Sequence, residues 1–390
     1  MTITVLVQPR DPILIRDGRP FSAEAGAAAR SLEWPMPGTA AGALRTCIGN
    51  AADFDWTKDG PKLAKAISLI GALPFVTRHD TGEVFLPRPS DAVFFRKEGE
   101  ESRRLMCLRP TDDYDGGVYG FEPGLLPIKI TEDMKPLPMD GLWHIDSVID
   151  WLASAKHDSF EPVSVANPPS EIRTHVAIDR ATGAAAQGML FSAEMRVLND
   201  TPFTPRKSEH ETSSPSIGLL CRLSSEPGTK LTSRFLTFGG ERRVAYVDQL
   251  ESDLWPIASS YPKLVSALTK SKRIRLQVVT PALFTGGWRP GWLNQDGIGA
   301  PPGLPSLQMK LVGAICGRAL PVSGWDMDKS AKKPGPKPAR YAAPSGAVYF
   351  FELLSGSSSE NDVEQLFLSS ISDKPEDRAD GFGLALPGIW

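Results

Sequence analysis

Residues 347–390 read AVYFFELLSGSSSENDVEQLFLSSISDKPEDRADGFGLALPGIW. The run AVYFFELL is short, apolar and rich in aromatic and β-branched side chains, as a buried strand is. ENDVEQLFLSSI follows a serine-rich turn and reads as a helix. The segment then closes on glycines: Gly381, Gly383 and Gly388 frame a loop. A glycine loop that grips phosphate normally feeds a helix whose free N–H groups face the anion. Within this sequence no such helix follows, so the segment is a poor match to a nucleotide-binding loop of that kind.

Working back from that segment, the second half gives a strand (IGLLCRLS), a helix (YPKLVSALTKS), then strands RIRLQVVT and LQMKLVGAICG before AVYFFELL. Strand, helix, two strands and helix make up most of a ferredoxin-like β-α-β-β-α-β unit. The first half can be read the same way. Ile3, Val5 and Val7 alternate with Thr4, Leu6 and Gln8, the signature of a half-buried strand. PGTAAGALRTCIGNAA is a helix with Thr39 as its expected N-cap. PKLAKAISLIGAL reads as a second helix reaching Leu73, and IDSVIDWLAS as a short amphipathic one. DAVFFRK with SRRLMCLRP, and EIRTHVAID with GMLFSAEMRVL, are expected hairpins, the first with its tip at Glu98–Glu101. Residues 199–216 are polar with three prolines and mark the expected boundary between halves. The segment from Asp326 to Arg340 is expected to be a basic projecting loop.

Composition narrows the function classes. The chain has 390 residues, 41% hydrophobic and 23% charged, with a net charge of −3. Any contact with a polyanion must therefore come from a local patch, not from global charge. Thirty-five glycines and 35 prolines, together about 18% of the chain against a usual ~12%, announce long loops. Cys47, Cys107, Cys221 and Cys316 lie far apart with no C-x-x-C pair, which reads as reduced thiols and not a zinc site. The opening MTITVLVQPR lacks the form of a signal peptide, and no apolar run approaches ~20 residues. A soluble, cytoplasmic protein is expected.

Enzyme templates are absent: no G-x-x-x-x-G-K-[ST], no G-x-S-x-G, no H-E-x-x-H. The five histidines are scattered singly, and Asp112, Asp113 and Asp115 read as a solvated acidic turn. What recurs is glycine beside arginine in loops: IRDGRPF, FGGERR and FTGGWRPGW. Glycine lets a backbone come close to a ligand, and arginine grips phosphate through two N–H groups at once. Aromatic rings beside them stack on unpaired bases. Together these loops suggest single-stranded nucleic acid lying over the edge of a sheet.

Six segments, DPILIRDGRPF, PMPGTAAGALRT, IDRATGAAAQGMLF, FGGERRVAYV, TPALFTGGWRPG and ADGFGLALPGIW, come in an order that spans nearly the whole chain. They resemble the third-subunit family of the Cmr complex, the type III-B CRISPR effector, within the RAMP superfamily of repeat-associated RNA-binding proteins. The resemblance implies an α+β fold of two ferredoxin-like, RRM-related domains with long loop insertions, at 1–198 and 217–390, joined by 199–216. It implies a non-catalytic subunit that holds the 5′ tag of the crRNA. It also implies docking to the large polymerase/cyclase-like subunit and the first backbone subunit. The terminal GFGLALPG would be this chain's form of the superfamily's glycine-rich loop, its backbone amides serving an extended RNA strand. No cofactor or metal is expected. Arg16, Arg19, Arg45, Arg173, His175, Arg180, Arg242, Arg243 and Arg289 are the candidates for RNA contact, and Gly240, Gly381 and Gly383 for close backbone approach. The alternative is a metal-independent endoribonuclease of the same superfamily with His175 as acid or base, for which the sequence shows no evident Tyr or Lys partner. A sugar- or nucleotide-processing α/β enzyme is a more distant third.

Overall fold

The computed structural model describes residues 2–16, 28–78, 81–96, 103–112, 124–128, 130, 135–137, 141–154, 160–199, 216–224, 231, 234–251, 255, 258–326, 335–354 and 356–390. In chain order the longer elements begin with β1 (Thr2–Pro9), α1 (Pro37–Ala51), α2 (Gly60–Lys65), β2 (Ser68–Arg78) and β3 (Thr81–Pro87). Next come β4 (Ala92–Arg96), β5 (Arg103–Cys107), α3 (Ile145–Leu152), β6 (Ser170–Ile178) and β7 (Ala185–Arg196). They are followed by β8 (Ser216–Ser224), β9 (Arg234–Thr237), β10 (Val244–Gln249), α4 (Tyr261–Leu268) and β11 (Arg273–Val278). Last are β12 (Met309–Ile315), β13 (Val348–Leu353), α5 (Glu360–Leu366), α6 (Pro375–Ala379) and β14 (Leu384–Ile389). The protein is a strand-rich α+β fold with few helices.

The chain forms two compact units that interleave in sequence. Unit 1 is Met1–Val84, Asn167–Trp255 and Pro321–Arg340; unit 2 is Phe85–Ala166, Pro256–Leu320 and Tyr341–Trp390. The expected division into contiguous halves at 199–216 differs from this, and residues 200–215 lie outside those described. The reason is strand pairing: β8, just past that segment, lies between β1 and β2 and so belongs to the first sheet.

In unit 1 the sheet runs β9-β10-β1-β8-β2, with the first part of β3 on β2. All of these pairs are antiparallel. The core four strands, β10-β1-β8-β2, stand in the order fourth, first, third, second along the chain. Strand β1 is buried on both faces, not half-buried as its alternation suggests: Thr4 and Leu6 are covered as well as Ile3, Val5 and Val7. Its central place in the sheet accounts for this. Helix α1 buries Ala40, Ala41, Leu44, Cys47 and Ile48, one face at i, i+4, i+8 spacing. It begins at Pro37, with Met36 as N-cap and no side-chain cap, two residues before the expected start at Thr39. Proline in the first turn forfeits only an N–H that has no helical partner.

The second expected helix stops at Lys65, and Ser68 onward joins the sheet. The apolar spacing from Leu63 to Leu73 fits both periods, but Pro74 cannot continue a helix and β8 offers a full antiparallel partner.

In unit 2 the four central strands, β14-β11-β13-β12, repeat the order fourth, first, third, second, again wholly antiparallel. Both expected hairpins form, β4 with β5 and β6 with β7. The tip at Glu98–Glu101 lies outside the described residues. So do 327–334 of the expected basic loop, whose flanks Trp325–Asp326 and Gly335–Pro336 pair with each other. The terminal glycine segment is not an open loop. It is the turn between α6 and β14, and Leu384, Ala385 and Leu386 are buried beside β11.

At the heart of unit 2 lies a buried ion pair. Arg275 and Asp91 are both fully buried, the Arg275 Nη1 donating to Asp91 Oδ2. Trp151 Nε1 donates to the other carboxylate oxygen at 2.9 Å, and Arg275 Nη2 donates to the Trp151 carbonyl at 2.5 Å. Burial is the largest single influence and works against the charge on Arg275, but the Asp91 carboxylate and the Cys107 sulfur, with the hydrogen bonds to both, together outweigh it and hold the guanidinium above its ordinary pKa.

Candidate nucleic-acid interface

The segment Ile13–Arg16 organises the candidate surface of unit 1. Ile13 exchanges backbone hydrogen bonds with Arg196 at the base of β7, 2.9 and 2.8 Å. Its neighbour Leu14 accepts from the Gly240 N–H at 2.7 Å and packs with Ala29, Ala193 and Met195. One short stretch thus ties the β6–β7 hairpin to the FGGERR turn. The FGGERR turn meets Ile15 and Arg16, the described start of the IRDGRPF segment, here, with the hairpin that carries Arg173, His175 and Arg180.

The approach needs glycine. Gly239 has φ 79°, and a Cβ there would sit 2.7 Å from the Leu14 carbonyl oxygen. After it the chain turns through Glu241 (φ 56°) and Arg242 (φ 51°), and the Arg243 N–H returns to the Gly240 carbonyl at 3.4 Å. Two positive φ values in a row suit Asn-Gly, not Glu-Arg. The strained turn places Arg242 in solvent at its tip. Arg243 beside it is partly covered, and its Nε is buried without a hydrogen-bond partner among the described residues. On the hairpin the His175 ring stacks on Phe191, centroids 5.3 Å apart at 15°, and its Nε2 is buried without a hydrogen-bond partner among the described residues. Arg173 Nε donates to Glu171, and Arg180 is exposed at the hairpin turn.

Between this hub, α1 and β9 lies a cavity of about 640 Å³. Its walls include Ile15, Arg16, Thr39, Gly42, Thr46, Asn50, Arg234, Phe235, Gly239 and Gly240. Among the described residues two arginines and no carboxylate line it. Burial raises the Cys47 thiol above its ordinary pKa, with the nearby Arg234 charge pulling the other way.

The family profile described as CRISPR-associated protein (Cas_Cmr3) matches residues 5–390. The chain belongs to the Cas_Cmr3 family. As a member, it is a subunit of the type III-B CRISPR Cmr complex, an RNA-binding ribonucleoprotein. Two solved chains come from cryo-EM structures of the type III-B Cmr-beta complex. One complex was bound to cognate target RNA and AMPPnP, the other to cognate target RNA. Each chain is 16% identical over 89% of this chain and 86% of its own, with TM-scores of 0.43 and 0.44. Among curated proteins none is detectably similar.

The other expected site residues of this Cas_Cmr3 chain are placed differently. Arg19 lies outside the described residues. Arg45 sits on α1 and donates from Nε to the Ile67 carbonyl at 2.9 Å. Arg289, in unit 2, donates to the carbonyls of Asn294 and Gln295 at 2.6 and 3.2 Å, closing its own loop. Gly381 and Gly383 are buried. The Gly381 carbonyl accepts from Thr280 Oγ1 at 2.8 Å, and a Cβ on Gly383 would lie 2.3 Å from Ser372 Oγ. These glycines allow close packing inside the fold. Trp292 and Trp390 are likewise committed inward, donating to the carbonyls of Ile371 and Phe351 at 3.1 and 3.0 Å.

Sequence reading passed over Arg234, Phe235 and the Thr39–Asn50 face of α1. The pattern RFLTFGG, an arginine and two aromatics leading into the double glycine, was the available signal for the first two. Nothing local marks the α1 face, because a helix shows its second wall only when a strand closes over it.

Proposed function

We propose that this chain anchors the 5′ tag of the crRNA within the Cmr complex and has no catalytic role of its own. The observation that carries the reading is the convergence on the Ile13–Arg16 stretch of the FGGERR turn and the hairpin bearing Arg173 and His175, beside a cavity lined by two arginines. Exposed arginines on loops whose backbone is held by glycine suit a flexible phosphate chain. Arg16, Arg19, Arg173, His175, Arg180, Gly240, Arg242 and Arg243 form the proposed contact set. Arg45, Arg289, Gly381 and Gly383 are left out of it, because each is committed to contacts within its own unit.

Two ferredoxin-like domains are the architecture this reading favours. Both four-strand sheets have the 4-1-3-2 antiparallel order of that fold. Each keeps a helix on one crossover: α1 after the first strand in unit 1, α5 before the last strand in unit 2. The large polymerase/cyclase-like subunit and the first backbone subunit are the proposed docking partners, and the cytoplasm the proposed compartment.

The test is Arg242→Ala with Arg243→Ala. Removing two phosphate contacts to a single strand should lower the slope of log K against log salt by about 1.4, measured on guide RNA binding by the assembled complex. An unchanged slope moves the site elsewhere. The endoribonuclease reading makes a separate demand: purified protein should cut repeat RNA, and His175→Ala should abolish the cutting. The expected result is no cutting by either protein.

A further inference from the structure

The sheet of unit 1 has a second face, turned away from α1. Arg234 lies close enough to Cys47 of α1 to act on its thiol, so Arg234 and Leu236 face the helix while Phe235 and Thr237 face the other side. Strand pairing carries that alternation across the sheet. Phe235 stands directly opposite Tyr246, and Tyr246 directly opposite Gln8. The row beside it, nearer the FGGERR turn, holds Thr237, Val244 and Arg10. The Phe235 and Tyr246 rings meet edge to face with centroids 5.2 Å apart, and the Arg10 guanidinium lies over the Tyr246 ring at 5.5 Å. Phe235 is 66% exposed, and Arg10 and Thr237 are exposed beside it.

A single exposed apolar side chain is ordinary on a protein surface. Three features set this one apart. Its ring is held in place by a second ring, which leaves a fixed flat surface open to solvent. A cation stands next to it, and Arg10 makes no ion pair with any described residue. The carboxylate on this face of β10, Asp248, is one row further off, opposite Leu6. The third feature is continuity: β9 and β10 are the two arms of the FGGERR turn, and Phe235 lies about 10 Å back along the strand from it. An aromatic surface with a neighbouring arginine takes an unpaired base by stacking and its phosphate by charge. Protein hot spots sit in desolvated apolar surroundings, whereas Gln8, Arg10 and Thr237 border this ring.

We infer that the Phe235–Tyr246 row is a stacking platform for one unpaired base of the guide RNA, with the adjoining phosphate towards Arg10. The inference rests on the RNA-anchoring reading and extends it: the strand held at the Arg242 turn continues over the sheet face opposite α1.

The experiment uses the assembled complex with Phe235→Ala, Phe235→Leu or Phe235→Trp in this chain. The probe is a synthetic copy of the guide RNA that co-purifies with the complex, carrying 2-aminopurine at one position at a time, whose fluorescence falls when it stacks. The ring is exposed, so the melting temperature should be the same in all variants. One position should be quenched in wild type and in Phe235→Trp, and released in Phe235→Ala and Phe235→Leu. Those two variants should also bind the guide about 5- to 150-fold more weakly, the loss of one stacked base. Leucine that retains full affinity would overturn the inference, because apolar contact and not stacking would then be at work. If Phe235→Ala changes neither quenching nor affinity, the inference falls, while a salt slope still lowered by Arg242→Ala with Arg243→Ala keeps the RNA-anchoring reading. If wild type does not bind the guide, both fall. A Phe235→Ala complex that has lost a subunit, as read from its mass, would also overturn the inference, since the row would then be a protein interface.

Discussion

At the scale of single residues, the most consequential pair is Arg275 with Asp91. Both side chains are fully buried and each needs the other. Arg275→Met removes one partner and leaves a carboxylate in the core, which should cost about 3–5 kcal/mol. Urea unfolding of the purified protein measures the loss. Replacing both, as Arg275→Met with Asp91→Leu, should recover much of it, because the isolated charge is then gone. Cys221 gives a second expectation. Complete burial pushes its thiol up to about 12, so the folded chain keeps a proton that the unfolded chain gives up near the ordinary thiol value. Its contribution to stability is therefore intact below pH ~8.5 and lost as pH rises towards 12. Alkylation of Cys221 at mildly alkaline pH should proceed only as fast as the protein unfolds. Labelling of this thiol in the native state, before any loss of structure, would contradict the burial.

At the scale of elements, the FGGERR turn sets stability against function. Glu241 and Arg242 hold left-handed backbone that costs a non-glycine residue about 1–2 kcal/mol. Substituting the favoured pair, Glu241→Asn with Arg242→Gly, should raise the melting temperature while weakening RNA binding, since the tip cation is lost. A variant that gained stability with no loss of RNA affinity would separate the strained turn from the contact. The β6–β7 hairpin reads well in the sequence because its alternation and its glycine turn are local. Arg173 and His175 were legible as candidates for the same reason. Their attachment to Leu14 was not, because Ala193 and Met195 meet it across a gap of many residues.

At the scale of the molecule, the interleaved units make a claim about dissection. Cutting the chain in the 199–216 segment would strip β8 and β10 from the sheet that holds β1 and β2. Residues 1–198 expressed alone should therefore fail to give a cooperative unfolding transition. Co-expression with 217–390 should restore a soluble pair, since the strand partners are then supplied in trans. Independent cooperative folding of the first fragment would show that unit 1 does not need β8.

The sequence by itself determined the α+β class, most strands and helices, both hairpins and the Gly-Arg segments, because each is set by local periodicity, turn chemistry and side-chain type. It also carried the family, through six motifs in order. Tertiary structure decided the rest. The stretch Ile67–Leu73 became strand because β8 paired with it, and the terminal glycines became a packed turn because β14 found β11. Arg45 and Arg289 found carbonyl partners within the fold, while Arg242 at its strained turn was left in solvent. The physical reason is common to all of them. Hydrogen-bond partners and burial are assigned by strands and turns distant in the chain, and no window of sequence contains both sides of such a contact.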